Sequence, residues 1–105
     1  MNDAYSVILT TTGSADEAQR LAEVLVSRKL AACVQTVPIA STYRWKEELQ
    51  HDQEFLLLIK TASTLYARVE AAILEVHSYE VPEIVQLPIA RGLPAYLTWI
   101  SDSTR

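Results

Sequence analysis

The stretch of this 105-residue chain that most resembles a metal site is His77-Ser78-Tyr79-Glu80-Val81-Pro82-Glu83. It offers one imidazole and two carboxylates, a mixed donor set that a divalent cation can use. On a helix, His77 and Glu80 would share one side. Pro82 restricts the residue before it, however, so the helix ends and the segment enters a loop. The plainer reading of His77 is a histidine held at a helix C-terminus by the dipole. His51 lies in a charged run and reads as a solvated surface residue. Cys33 sits in the apolar run Leu30-Ala31-Ala32-Cys33-Val34 and reads as a small core residue. No neighbouring base or cation activates it as a nucleophile. It would serve as a Cu(I) ligand only if a second soft ligand met it in space.

Two further places carry recognition chemistry. Tyr43-Arg44-Trp45 packs two aromatic rings and a guanidinium into three positions. Strand alternation puts Tyr43 and Trp45 on one face and Arg44 on the other. This is either cross-strand packing or an interface anchor, for which Tyr, Trp and Arg are favoured. Lys60 closes an apolar strand, as an ordinary strand-end charge or as an ammonium presented to an anion.

Other chemistries are missing their signatures. Gly13 and Gly92 stand alone, so no glycine-rich loop cradles a phosphate. No nucleophile, base and orienting acid occur in a recognisable arrangement, so an enzyme is not expected. Nine basic and thirteen acidic residues give a net charge of −4, which opposes nucleic-acid binding. One cysteine excludes an intrachain disulfide framework. No apolar run approaches the ~18 residues of a membrane span. Met1-Asn2-Asp3-Ala4 lacks the basic start of a signal peptide. These features point to the cytoplasm, with no membrane partner.

The elements that would position these residues follow from periodicity. Tyr5 to Thr12 is β-branched and ends at Gly13, a strand. Ser14 and Glu17 have the spacing of a capping box. Ala18, Leu21, Ala22 and Leu25 mark one face of the helix that follows, and Arg28 and Lys29 suit its C-terminal end. A second strand begins near Cys33 and is interrupted at Pro38, by a bulge or at a sheet edge. It resumes over 41–45. The polar run Lys46 to Gln53 reads as a hairpin tip. Glu54 to Thr61 is the next strand, and its five successive apolar residues imply burial on both faces. Ser63 caps a second helix with the stripe Tyr66, Val69, Ile73 and Val76. Ile84 to Leu87 is a fourth strand, ended by Pro88. Pro94 opens a short last helix, with Leu97 and Ile100 directed inward.

The expected fold is therefore α+β, one domain over residues 1–105. It is a ferredoxin-like split β-α-β unit, with an antiparallel sheet, two helices on one face and a short C-terminal helix. The second sheet face then needs a cover. Either curvature and the last helix supply it, or another copy of the chain does.

Beside this reading stands a resemblance that covers nearly the whole chain. It is carried by Leu30-Ala31-Ala32-Cys33-Val34, Tyr43-Arg44-Trp45, Leu57-Leu58-Ile59-Lys60-Thr61, His77-Ser78-Tyr79-Glu80-Val81-Pro82-Glu83-Ile84 and Gly92 to Ile100. With these motifs the sequence resembles the CutA family, the divalent-cation tolerance proteins. The resemblance implies a ferredoxin-like fold and a tight homotrimer whose long hairpins pair around a threefold axis, similar in shape to PII signalling proteins. It also implies copper tolerance. The copper site described for some members uses a Cys on the first strand and a His-His pair ending the second helix. The matching positions here are Thr10, Val76 and His77, so His77 alone keeps its ligand type.

Three functions compete on this basis. The first is a metal-binding or metal-responsive trimer, with copper or another divalent cation on His77 and Glu80. The second is a PII-like sensor that takes a small anion or metabolite between subunits and signals to a protein partner. Tyr43, Trp45 and Tyr79 would line its cleft, Lys60 would supply charge, and Glu83 would hold the lysine or the ligand. The third is a trimeric adaptor that anchors other proteins.

Overall fold

The computed structural model describes residues 4–105, so the reading of Met1 to Asp3 as lacking a leader lies outside the described residues. The order is β1 (Tyr5–Thr12), α1 (Ala15–Ser27), β2 (Cys33–Trp45), β3 (Glu48–Ala62), α2 (Tyr66–Val76), β4 (Ile84–Pro88) and α3 (Pro94–Ser103). The strands form one antiparallel sheet in the order β2-β3-β1-β4. This is the split β-α-β arrangement that the sequence predicts.

Alternation along the strands divides the sheet. Ile8, Leu57 and Ile59 are fully buried on the face under α1 and α2. There they meet Leu21 and Leu25 of α1 and Val69 and Ile73 of α2. Leu56 and Leu58 point to the other face and are only half-buried, so β3 is not enclosed on both sides as its apolar run implied. α3 packs on this second face near the start of β1. Ile100 is fully buried, and Tyr5 and Ser101 share a hydroxyl hydrogen bond. Leu97, expected to point inward, is half-buried over Gly92. Val37, Val85 and Leu87 on this face stay exposed.

Three local expectations need correction. Pro38 does not interrupt β2, which runs unbroken with Pro38 in register opposite Phe55. β2 is the outer strand, where a missing N–H leaves the ladder intact. The hairpin tip is not Lys46 to Gln53 but Lys46 and Glu47 alone, both at positive φ (51° and 67°). The strands continue to this two-residue turn because cross-strand side chains hold them. Thr42 Oγ1 lies 3.1 Å from His51 Nδ1, and the Tyr43 hydroxyl donates to Asp52. Ser63 does not cap α2. It opens a 3-10 turn over Ser63–Leu65, and its hydroxyl bonds that of Ser6 at 2.6 Å.

The hairpin outruns the sheet. β3 pairs with β1 only from Phe55 onward, so residues 48–54 project past β1 with β2 beside them. The molecule measures 44 × 28 × 22 Å as a result. The projecting hairpin stands opposite the loop that follows α2.

Candidate functional site

The loop after α2 is held by a chain of polar contacts. His77 ends the helix, with its backbone N–H donating to the Ile73 carbonyl at 2.9 Å. Its side chain turns inward and is 1% exposed. Nε2 is 2.6 Å from the Thr11 carbonyl, which can only accept, so Nε2 carries the proton. Nδ1 accepts the Tyr79 backbone N–H at 3.1 Å. The imidazole is therefore the neutral tautomer with both nitrogens engaged. Glu17 adds a second tether. Its carboxylate accepts from the Ser78 N–H at 2.8 Å and the Ser78 hydroxyl at 3.1 Å. The predicted capping box is thus half formed. The Ser14 hydroxyl accepts from the Glu17 N–H at 3.1 Å, but the Glu17 carboxylate reaches across to the loop.

Tyr79 leaves this anchor and crosses to the sheet. Its ring lies 4.8 Å from that of His77, and its hydroxyl donates to Glu54 at 2.7 Å. A Cβ at Gly13 would stand 3.1 Å from that hydroxyl, so glycine leaves the room it needs. Loss of surrounding water pushes the Tyr79 phenol well above its ordinary value, and the Glu54 hydrogen bond adds to this. The Tyr43 phenol is raised chiefly by its hydrogen bond to Asp52.

Between loop and hairpin lies a cleft of about 750 Å³. It gathers Tyr43 and Trp45 from β2, Asp52 and Glu54 from β3, and Tyr79, Glu80 and Glu83 from the loop. Five residues singled out in the sequence thus come together: Tyr43, Trp45, Tyr79, Glu80 and Glu83. Asp52 and Glu54 were missed there, because one is an unremarkable acid in a polar run and the other opens an apolar strand. Their two-residue spacing on one strand face was the available signal. The lining holds four carboxylates (Asp52, Glu54, Glu80 and Glu83) against the single ammonium of Lys46, which lies 5.7 Å from the Trp45 ring centroid.

The other sequence-predicted residues lie elsewhere. Lys60 is not in the cleft; it donates to Gln35 Oε1 at 2.8 Å and stands 5.8 Å from the Tyr96 ring centroid, beside α3. Cys33, opposite Lys60 on the outer strand, is half-buried and a free thiol. Thr10 is fully buried, its hydroxyl without a hydrogen-bond partner among the described residues, and Val76 packs against the core. Among the described residues, no three His, Cys, Asp or Glu side chains stand close enough together to hold one metal ion.

The fold and cleft define a small α+β protein with an acidic, aromatic-lined groove under a projecting hairpin. Residues 6–103 match the family described as CutA1 divalent ion tolerance protein, and the chain belongs to that family. It is 44% identical over 99 residues to the divalent-cation tolerance protein CutA of Thermus thermophilus, covering 93% of this chain and 96% of the relative. A CutA homolog of Xenopus laevis is 42% identical over 103 residues, which are 97% of this chain and 68% of that one. Among solved structures, the periplasmic divalent cation tolerance protein CutA of Archaeoglobus fulgidus superposes with a TM-score of 0.95 at 38% identity, covering 96% of this chain and 99% of the other. Among the described residues, no helix is long and apolar enough to cross a membrane.

Proposed function

We propose that this chain serves divalent-cation tolerance as a homotrimeric cytoplasmic protein that works by binding and not by catalysis, with residues 1–105 acting as one domain. The observation that supports it most is the acidic lining of the cleft in a chain that matches the family over residues 6–103. Carboxylate oxygens are the hard donors that divalent cations take. Glu80 and Glu83 are exposed on the loop and are where such an ion is first met. Copper bound at His77 would have to take Nδ1 from the Tyr79 N–H, so its uptake would displace the loop. A protein partner can read such a displacement. The alternative reading, a PII-like sensor, takes its small anion between subunits; within one chain Lys60 bonds Gln35 and lies outside the acidic cleft.

The trimer rests on surface that one chain leaves open. Val37, Val85 and Leu87 are exposed on the second sheet face, and β2 has an unpaired outer edge. The free thiol of Cys33 suits a reducing compartment.

Native mass spectrometry of the purified protein titrated with Cu(II) and Mn(II) tests this reading. A trimer should take up one ion per subunit. Copper uptake should be lost in His77→Ala, and manganese uptake in the Glu80→Gln, Glu83→Gln double variant. Scattered adducts, equal in all three proteins, would refute direct binding.

A further inference from the structure

The carboxylate that the fold sets beside His77 is not the one that its neighbours in sequence suggest. α2 ends at Val76 and His77 already has extended backbone (φ −73°, ψ 138°), so no helical spacing aligns it with Glu80. Glu80 is exposed and lines the cleft. The acid against the buried His77 side chain is Glu17 of α1, with Oε2 at 3.7 Å from Nδ1. Glu17 is itself buried, 60 residues away in the chain, and its spacing from Ser14 reads only as a capping box.

The lone pairs decide what this pair can hold. A carboxylate has about four acceptor positions on its two oxygens. Glu17 uses Oε2 for the Ser78 N–H and Oε1 for the Ser78 hydroxyl, which leaves each oxygen a second lone pair. His77 uses Nδ1 for a single backbone donor, the Tyr79 N–H at 3.1 Å. A cation that takes Nδ1 therefore displaces Tyr79 and leaves both Glu17 bonds to Ser78 in place. The negative charge at 3.7 Å favours that exchange, because a buried pair is weakly screened.

The outer contacts fit a metal ligand as well. A ligating imidazole gives its other ring N–H to a backbone carbonyl or a carboxylate, which fixes its tautomer and orientation. Nε2–H of His77 does this to the Thr11 carbonyl at 2.6 Å. Metal ions take imidazole nitrogen and carboxylate oxygen at about 2.0–2.2 Å each, so donor atoms up to about 4 Å apart can share one ion. Imidazole with carboxylate is a donor set that copper accepts. We infer that Glu17 is the second donor to a copper ion held on His77, and that the loop swings about Ser78 to admit it. With no third such side chain in reach among the described residues, water completes the shell. The inference rests on the copper part of the tolerance reading and gives the single imidazole a partner.

Isothermal titration of the full chain, in its solution oligomer, with Cu(II) tests it. We expect one ion per chain, bound at least about tenfold more weakly by Glu17→Gln. That variant keeps an acceptor for the Ser78 N–H, so its urea unfolding without metal should change far less than its copper affinity. Glu23→Gln, at an exposed acid of the same helix, should leave binding unchanged. Amide exchange of the copper-loaded parent needs no variant: exchange at Tyr79 should accelerate while Ser78 stays protected. Equal copper affinity in Glu17→Gln and the parent, an equal loss in Glu23→Gln, or Ser78 exchanging as fast as Tyr79 would overturn the inference. Uptake that His77→Ala abolishes and Glu17→Gln leaves intact refutes the role of Glu17 alone. A parent that takes up no copper refutes the copper reading, and this inference with it.

Discussion

In the absence of any metal, His77→Ala should destabilise the protein substantially, because the imidazole is the anchor of the loop that walls the cleft. The substitution removes the 2.6 Å bond from Nε2–H to the Thr11 carbonyl and the acceptor of the Tyr79 N–H. Each such bond is worth about 1 kcal/mol net, and a buried group left unpaired adds about 1–3 kcal/mol. The side chain is 1% exposed, so its removal also leaves a void. Together these give a loss of about 3 kcal/mol, within roughly 2–5 kcal/mol for deletion of a buried, bonded side chain. For a chain of this length that lowers Tm by about 10–20 °C. Urea denaturation in the presence of a chelator, at fixed protein concentration, measures the effect. Amide exchange at Tyr79 gives a local readout and should accelerate. His77→Gln can replace the donor to Thr11 and should recover part of the loss. A His77→Ala protein within ~0.5 kcal/mol of the parent, the range of an ordinary surface change, would refute the anchoring role.

Other consequences follow from the same geometry. Leu57→Ala, at a fully buried site on the helix-covered face, should cost about 3–5 kcal/mol in denaturant unfolding. Thr10→Val should stabilise by about 1 kcal/mol, since it removes a buried hydroxyl that has no partner among the described residues; a loss instead would mean that the hydroxyl is bonded. The Tyr79 phenol is raised in the folded state above its ordinary 10.0 by burial first and Glu54 second. Its contribution is therefore complete below pH 10.0 and is lost as pH rises through the higher folded value. Phenolate absorbance should lag on alkaline titration, and Glu54→Gln should reduce the lag. Val37→Lys with Leu87→Lys should convert a trimer to monomers by mass, and should remove the dependence of the parent's melting on protein concentration.

The fold was legible in the sequence wherever a local pattern had one physical meaning. The α1 stripe at Ala18, Leu21 and Leu25 and the Ser14 cap read directly as a helix, and all are present. The hairpin tip was not legible, because Lys46-Glu47 carries none of the Asn-Gly chemistry that favours positive φ. Cross-strand contacts such as Tyr43 to Asp52 hold the turn closed instead. Pro38 showed only that a ladder hydrogen bond was missing, and the sheet order decided that an edge strand tolerates it. At the cleft, the sequence pointed to aromatic residues and loop acids but passed over exposed Asp52 and buried Glu54, which the fold sets beside Tyr43 and Tyr79.

By itself, then, the sequence determined the order of strands and helices and the family, because these depend on neighbours a few residues apart and on motifs in series. The tertiary structure alone decided what the polar residues do. Glu17 left its own helix start to hold Ser78, 61 residues away, and Tyr79 reached Glu54 across 25. His77 became a loop anchor when the end of β1 brought the Thr11 carbonyl to its Nε2. Such contacts follow from the way the sheet juxtaposes distant segments, and a buried polar group takes the partner that the fold brings to it.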